Sequence, residues 1–199
     1  MLKRAFDIVF SAGWLIGFAP LLLVVAILVR LKLGSPVLFV QERPGLRARP
    51  FRMVKFRTMT DERGPDGELL PDEQRLTSFG KFLRSTTLDE FPEMWNVLLG
   101  DMSVVGPRPL LMRYVSRYSP FQARRMEVKP GVTGWAQVNG RNLLSWEEKF
   151  ALDVWYVDHR TFWLDMKIVV KTFFRVFARS GIEAANGGAV EEFRGAEKQ

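Results

Sequence analysis

The hydrophobic positions divide the chain into an apolar N-terminal segment, a mixed middle region and an amphipathic stretch near the C-terminus. Residues 8–29 carry no charge. Basic residues flank this segment on both sides: Lys3, Arg4, Arg30 and Lys32. As a straight helix the segment would rise about 33 Å, enough to cross a hydrocarbon core of about 30 Å. The pattern therefore predicts a membrane segment.

Pro20 lies past the middle of this apolar segment. An interior proline costs about 3 kcal/mol unless the helix kinks, and each half is then about 15–18 Å long, too short to span a bilayer. Basic residues favour the cytoplasmic side, and both ends carry them. We therefore expect a re-entrant helix with Pro20 as its hinge and both termini in the cytoplasm. A kinked signal anchor is the alternative.

A second amphipathic pattern covers residues 163–179. Basic side chains recur there every four positions, which places them on one face of a helix: Lys167, Lys171, Arg175 and Arg179. This predicts an interfacial helix on anionic membrane lipids, although packing against the protein's own core would explain the pattern equally well. The Gly-, Ala- and Glu-rich composition beyond it predicts a flexible tail over residues 181–199.

The middle region combines strand and helix patterns. Residues 37–42 and 51–59 alternate as strands around a turn-rich stretch, which predicts a β-hairpin, and residues 61–75 predict a mobile loop. Lys55 and Arg57 would share one face of the second strand, where two cations favour an anion unless that face is merely solvated. We expect an α+β fold, mostly helical, with a membrane segment over 1–33 and a catalytic-size domain over 34–180.

Two adjacent carboxylates, Asp89 and Glu90, precede an apolar helix. Pro92 fixes the helix start near residues 87–89, because proline is tolerated only in the first turn. The N-terminal end of a helix stabilises an anion by about 0.3–1 kcal/mol, which favours an ionised Asp89 that could attack phosphorus. A capping box between Thr87 and Glu90 is the structural alternative.

The overall charge and the missing residue types restrict the chemistry. The formal net charge is +7, which suits an anionic membrane, nucleic acid or a phosphorylated substrate. Zinc-finger spacing, aromatic RNA-binding signatures and long basic runs are absent from the sequence, so we expect no nucleic acid partner. The chain has no cysteine and one histidine, so a metal site would need oxygen ligands, as Mg2+ or Mn2+ prefers.

Several other polar residues could bind phosphate. Arg108 lies between two prolines that fix the backbone, and its guanidinium fork matches phosphate oxygens, although a structural turn explains the sequence as well. Asp153 could be a ligand, a helix cap or a surface charge. The basic residues that could neutralise a diphosphate, with Mg2+ bridging its oxygens, are Lys55, Arg57, Arg84, Arg108 and Arg141.

The order of these motifs resembles the bacterial sugar transferases, and in particular the small monotopic phosphoglycosyl transferases. The resemblance covers roughly residues 1 to 180. It is carried by the proline-broken apolar segment and by the following motifs: Lys3-Arg4-x-x-Asp7, Gln41-Glu42-Arg43-x-Gly45, Lys55-Phe56-Arg57-Thr58-Met59, Leu88-Asp89-Glu90, Gly106-Pro107-Arg108-Pro109 and Lys129-Pro130-Gly131-Val132-Thr133-Gly134.

The resemblance implies transfer of a sugar-1-phosphate from a UDP-sugar to undecaprenyl phosphate with release of UMP, an early membrane step of glycoconjugate synthesis. It implies Mg2+ as cofactor and a site on the cytoplasmic face of the bacterial inner membrane. Asp89 would form a covalent phosphosugar intermediate, which predicts ping-pong kinetics, and Glu90 would assist as a metal ligand beside Asp89 or as a base. Arg84, Arg108 and Arg141 would hold phosphates, and Asp153 matches a polar position of the site.

Two other functions are compatible with the sequence. A membrane-tethered scaffold could use the cationic surface for binding without catalysis, and an enzyme could transfer the sugar phosphate directly through a ternary complex. Substitution of Asp89 separates the scaffold from an enzyme, and a covalent adduct separates the two enzymatic routes. The sequence leaves open which sugar is transferred and whether the protein is a homo-oligomer.

Overall fold

The computed structural model of the chain describes residues 1–140, 143–177 and 192–195. Its helices are α1 (Leu2–Gly17), α2 (Ala19–Leu33), α3 (Asp72–Arg75), α4 (Ser78–Ser85), α5 (Glu93–Leu99), α6 (Pro120–Ala123), α7 (Trp135–Asn139), α8 (Trp146–His159) and α9 (Phe162–Phe177). Its strands are β1 (Leu38–Pro44), β2 (Pro50–Phe56), β3 (Ser103–Val105) and β4 (Gly131–Thr133). The expected mostly helical α+β fold is confirmed.

The N-terminal helices α1 and α2 meet at Phe18 and are bent by 62° relative to each other. Pro20 lies in the first turn of α2, where its missing N–H leaves no intrahelical bond unmade. In the described part of the chain, no single helix is long and apolar enough to cross a bilayer, but this bent pair passes the same criteria jointly. The predicted break beside Pro20 is confirmed, whereas membrane insertion stays a prediction.

Polar contacts hold α1 against the rest of the domain. The Arg4 guanidinium donates to the carbonyl oxygens of Val97 (2.7 Å) and Leu98 (2.8 Å), at the C-terminal end of α5 where carbonyls lack helical partners. The buried Asp7 carboxylate accepts a 3.0 Å bond from the Val104 N–H of β3. The basic residue of the flank and the acid one turn later therefore attach α1 to α5 and β3.

The predicted hairpin is present as the antiparallel pair β1–β2, whose register runs from Leu38 opposite Phe56 to Pro44 opposite Pro50. Alternation along β2 directs Phe51 and Met53 into the main core, and Lys55 follows on the same face. This face packs on α5. Lys55 is thereby carried toward the start of α5, while the predicted second strand ends at Phe56, before Arg57.

A parallel pair, β3–β4, crosses the centre of the domain. The two backbone segments approach so closely that a Cβ on Gly131 would lie 2.0 Å from the Gly106 nitrogen, so only glycine fits at position 131. The core around this pair includes Met53, Val97 and Met102, with the aromatic side chains of α1 packed against it. Gly131 and Gly106 therefore permit the backbone of β4 to cross close to the segment that carries Arg108.

Helix α9 packs against the core by one face and exposes aromatic side chains on another. Ile168 is completely buried in the core, whereas Trp163 is 79% exposed and Phe174 is 73% exposed. The Lys171 ammonium lies 4.9 Å from the centre of the Trp135 ring. The helix thus packs by one face and presents aromatic side chains on another. Its contact with lipid stays a prediction, and Arg179 of the basic stripe lies outside the described residues.

The predicted flexible tail falls mostly outside the described residues, but residues 192–195 are described and Phe193 among them is packed. Phe193 is 2% exposed and its ring lies among those of Tyr114, Trp146 and Phe150. The Arg117 guanidinium donates a 2.6 Å bond to the Phe193 carbonyl. Phe193 is thus part of a satellite aromatic core, and the flexibility of the tail stays a prediction.

Candidate active site

The two adjacent carboxylates lie in a tight turn between α4 and α5. Thr87 adopts a left-handed conformation (φ 60°), Leu88–Glu90 form one turn of 3-10 helix, and α5 begins only at Glu93. A capping box does not form, because the buried Thr87 hydroxyl has no hydrogen-bond partner among the described residues. The helical backbone begins at Leu88 with Thr87 as N-cap, within the predicted 87–89, but its first turn is 3-10 and the α-helical part starts only at Glu93.

Glu90 is clamped by two cations. Lys55 Nζ lies 3.0 Å from Glu90 Oε1, and Arg108 Nη1 lies 3.2 Å from Oε2 while its Nη2 contacts Oε1. Burial alone would raise the pKa of Glu90, but the charges of Arg108 and Lys55 hold it well below its usual value. Glu90 is consequently an anion whose oxygens are both occupied, and it positions Lys55 and Arg108 beside Asp89.

Asp89 differs from its neighbour in having no such partner. Its side chain is buried, with 8% exposure, yet no hydrogen bond or ion pair joins its carboxylate to the described residues. Burial and then the adjacent Glu90 charge raise the pKa of Asp89 to about 6, against the opposing pull of Lys55, Arg108 and Arg84. The position at a helix end predicts an ionised Asp89, but desolvation has the larger effect on its pKa. At neutral pH the group is still mostly ionised.

A third carboxylate, Glu93, belongs to the same cluster, and our sequence analysis missed it. It is 1% exposed, and its Oε1 lies 3.0 Å from Lys55 Nζ without hydrogen-bond geometry. Burial, followed by the charge of Glu90, raises the pKa of Glu93 to about 7. The i,i+3 spacing from Glu90 could have revealed it, because such residues share a helical face. Lys55 is therefore held between two acids.

The predicted basic residues divide into two groups. Besides Lys55 and Arg108, Arg84 acts on Asp89 electrostatically and donates a 3.1 Å bond to the Thr58 hydroxyl. Arg57 is instead buried and bound to the carbonyl oxygens of Met59 (2.8 Å) and Ser35 (2.7 Å), so its side chain supports the strand end. Arg141 lies outside the described residues, and its predicted role stays a prediction.

Asp153 lies behind the site and contacts it through an intermediary. Arg125 Nε and Nη2 lie 3.0 Å and 2.6 Å from Asp153 Oδ2, and Nη2 also donates a 2.8 Å bond to the Arg108 carbonyl. Both side chains are buried, and burial raises the pKa of Asp153 although Arg125 acts in the opposite direction. The pair fixes the backbone of Arg108. Asp153 itself makes no hydrogen bond to Asp89 or Glu90 in the described residues, and its predicted role as a ligand stays a prediction.

Arg43 is a further cation near the site that our candidate set omitted. Its Nη2 donates to Gln41 Oε1 at 2.6 Å, and its buried Nε has no partner in the described part of the chain. Burial, with a smaller contribution from Arg108, lowers the pKa of Arg43 to about 10, which still leaves it protonated. A buried cation with an unused donor beside Arg108 suits an incoming anion. The motif around Gly45 contained it.

An apolar cavity of about 320 Å³ adjoins the dyad. Glu90 and Thr87 reach its edge, and its walls come from α1, β3, β4 and α9. Phe91, which follows the dyad, packs its ring 4.9 Å from Trp14 of α1. The site therefore places a charged cluster directly against a hydrophobic space, which suits a substrate with both kinds of surface.

Comparisons with known proteins agree with this geometry. The family model described as "Bacterial sugar transferase" matches residues 1–179. The chain belongs to the bacterial sugar transferase family. It is 54% identical over 195 residues to the "Uncharacterized sugar transferase EpsL" of Bacillus subtilis (strain 168), covering 98% of this chain and 96% of that protein.

Other similar proteins have printed activities. The chain is 40% identical over 180 residues to a "UDP-glucose:undecaprenyl-phosphate glucose-1-phosphate transferase" of Caulobacter vibrioides, covering 85% of this chain and 67% of that protein. A protein of the same description from Klebsiella pneumoniae is 40% identical over 185 residues, covering 88% of this chain and 40% of the relative. This sugar transferase thus corresponds to less than half of the Klebsiella protein and to nearly all of EpsL.

The donor set of this sugar transferase fits a hard divalent cation only in part. Within the described ranges, no group of three His, Cys, Asp or Glu side chains could hold a metal ion by itself. Mg2+, however, is commonly held by one or two carboxylates together with substrate phosphates and water. The Asp89 carboxylate has no partner among the described residues, so it fits such a cation together with a diphosphate. The Glu90 oxygens are bound by Lys55 and Arg108, so Glu90 fits the cation only when one of them is released.

Proposed function

We propose that the protein is a phosphoglycosyl transferase that moves a sugar-1-phosphate from a UDP-sugar to undecaprenyl phosphate, with Asp89 as nucleophile. The observation that carries this proposal is the contrast within the dyad. Glu90 has its oxygens occupied by Lys55 and Arg108, whereas the buried Asp89 carboxylate has no partner among the described residues. A buried, unpaired carboxylate is costly, and such groups are characteristic of functional sites.

The proposed reaction has two displacements. In the first, an Asp89 oxygen forms a bond to the phosphorus that carries the sugar, the bond to the bridging oxygen breaks, and UMP leaves with that oxygen. In the second, a phosphate oxygen of undecaprenyl phosphate attacks the same phosphorus and the Asp89 carboxylate is released. Splitting the transfer allows a soluble donor and a lipid acceptor to use one site in turn.

The cations of the site have distinct tasks in this scheme. Arg108 and Lys55 bring positive charge to within hydrogen-bond distance of Glu90, next to the reacting carboxylate, and can neutralise charge on the equatorial phosphate oxygens. Arg43 adds a buried donor without a partner in the described chain. Mg2+, or Mn2+ as an alternative, would be held by Asp89 and the diphosphate, and by Glu90 once the diphosphate draws Arg108 away from Glu90 Oε2, and would neutralise charge on the leaving group.

The membrane arrangement belongs to the same proposal. The bent pair of α1 and α2, with basic residues at both ends, supports a re-entrant insertion that leaves both termini on the cytoplasmic face of the bacterial inner membrane. The exposed Trp163 and Phe174 of α9 support contact with anionic lipid. Single cysteines introduced at positions 3 and 195 can be labelled from either side; labelling from opposite sides would contradict re-entry.

The decisive experiment measures the covalent intermediate. The wild type incubated with a UDP-sugar panel and Mg2+, without acceptor, is expected to release UMP and to gain the mass of one sugar phosphate. Asp89→Asn is expected to do neither, with a rate below about a thousandth of wild type. Asp72→Asn, an exposed carboxylate at the start of α3, serves as the matched control and is expected to behave as wild type. Turnover without adduct in Asp89→Asn would exclude this nucleophile and favour a ternary complex.

A further inference from the structure

The apolar cavity beside the dyad has a composition that the donor does not explain. Its walls include Phe10 and Trp14 of α1, Val132 of β4, and Val169 and Phe173 of α9. The charged side chains that line it are Glu90 and Arg175. A nucleotide or a sugar carries many hydroxyl and carbonyl groups, and burying these against carbon walls is unfavourable unless each finds a partner. The walls suit hydrocarbon.

Three residues that line this apolar cavity carry buried polar atoms without partners among the described residues: Trp14 and Thr87, which can donate, and Gln137, whose Oε1 accepts. The Trp14 Nε1 and the Thr87 Oγ1 are both buried, and neither has a hydrogen-bond partner within the described residues. An unsatisfied buried polar group costs about 1–3 kcal/mol and is rare in native proteins. Thr87 is two positions before Asp89 in the chain, so it lies at the end of the cavity that adjoins the dyad. The ligand should therefore combine hydrocarbon with an acceptor at one end.

The size of the cavity limits how much of a ligand it can hold. Its volume of about 320 Å³ is at the lower end of the range of about 300–1,000 Å³ that accommodates small ligands. A long polyprenyl chain cannot fit. The remainder would have to leave along α1, whose outer face exposes Val9 (72%) and Ile16 (76%), or along α9. These are the elements whose sequences predict membrane contact.

We propose that this cavity binds the isoprene units nearest the phosphate of the acceptor, with that phosphate at the dyad end, where the Thr87 hydroxyl can turn into the cavity to donate to it. This inference rests on the proposed function and assigns the site at which that function takes its second substrate. The rest of the chain stays in the bilayer. Recognition of the acceptor then depends on its first few units and not on its total length.

The inference is tested by filling the cavity. Val169→Phe adds a ring to the wall, and Val170→Phe places the same ring on the neighbouring residue, which is 53% exposed. Val169→Phe is expected to raise the KM for the polyprenyl phosphate at least tenfold, while adduct formation with the UDP-sugar alone is unchanged. The increase is expected to be equal for undecaprenyl phosphate and for a phosphate of three isoprene units. Val170→Phe is expected to leave both half-reactions unchanged.

Specific outcomes would overturn the inference. An unchanged acceptor KM in Val169→Phe, or loss of adduct formation with acceptor binding intact, would show that the cavity does not hold the acceptor; the second result would assign it to the donor. Absence of an adduct in the wild type would refute the proposed function instead. If Val169→Phe does not fold, Thr87→Val removes only the hydroxyl, and it is expected to raise the acceptor KM several-fold without slowing adduct formation. No change in that KM would also refute the inference.

Discussion

Two buried clusters of charged side chains contact Arg108, and each contains both acids and cations. They differ in whether every carboxylate has a partner. Arg125 and Asp153 are each about 5% exposed and bind one another, and Arg125 uses a further donor on the Arg108 carbonyl. In front of Arg108, Glu90 is similarly paired, but the adjacent Asp89 carboxylate lacks a partner in the described chain. The Arg125–Asp153 cluster thus has its charges paired, whereas the Glu90 cluster includes one carboxylate, that of Asp89, which is free to react.

The difference separates what stabilises the protein from what it does. Removing one member of a buried ion pair strongly destabilises the folded protein, because the remaining charge is left desolvated and unpaired. A buried carboxylate without a partner destabilises the folded state already, so its removal should help the fold and harm the chemistry. Equivalent carboxylate-to-amide substitutions in the two clusters should therefore change stability in opposite directions.

The largest expected effect is on the completed cluster. Asp153→Asn leaves the Arg125 guanidinium without its counter-charge and should destabilise the protein by about 3–5 kcal/mol, measured by urea unfolding in detergent. The matched control is Asp158→Asn, which breaks the exposed pair with Arg124 and should change stability little, because solvent screens both charges. Equal losses in the two variants would contradict the distinction between buried and exposed pairs.

The next effect concerns the incomplete cluster and depends on pH. Because the pKa of Asp89 is about 6 in the folded protein and ordinarily 3.8, the folded state binds this proton more tightly than the unfolded state. Ionisation of Asp89 therefore destabilises the wild type progressively between about pH 4 and pH 6, by up to about 3 kcal/mol. Asp89→Asn should remove that decline and be more stable than wild type above pH 6. The measurement is the free energy of unfolding of both proteins as a function of pH, without donor or Mg2+. If the two curves run parallel from pH 4 to pH 6, the prediction is wrong.

The smallest expected effect concerns the residue between the clusters. Arg108→Lys keeps the charge but loses the two-pronged contact with Glu90. The cost in kcat/KM for the UDP-sugar should be about 10- to 100-fold, the equivalent of one charged hydrogen bond. Stability should change little, because the Arg108 carbonyl still accepts from Arg125. A loss of stability as large as that of Asp153→Asn would show that the side chain, and not its backbone, is the structural element.

The sequence predicted those features that depend on local pattern. The hairpin and the break beside Pro20 follow from periodicity and proline chemistry, and the presence of cations around the two adjacent carboxylates follows from charge. The structure also caps α5 at Gly100. Gly100 has φ 97°, as a helix-ending glycine should. The family itself also followed from the order of the motifs.

The remaining features depend on contacts between distant residues. The link from Asp153 through Arg125 to Arg108 joins elements far apart in the chain, and no spacing rule gives it. The raised pKa of Asp89 depends on burial, which the sequence could not specify, while the helix-end argument indicated the opposite direction. The end of β2 at Phe56 separated Arg57 from Lys55, although period-two alternation had placed them together.

The left-handed backbone of Thr87 has a consequence for engineering thermostable variants. A β-branched residue at φ 60° carries strain of roughly 1–3 kcal/mol, so glycine at this position should relax the turn. Such a replacement would look attractive in any screen that ranks variants by melting temperature. It would also remove the Thr87 side chain from the edge of the hydrophobic cavity and make the turn before Glu90 more flexible. Screens that measure only heat tolerance should therefore enrich a variant at position 87 that has lower catalytic activity.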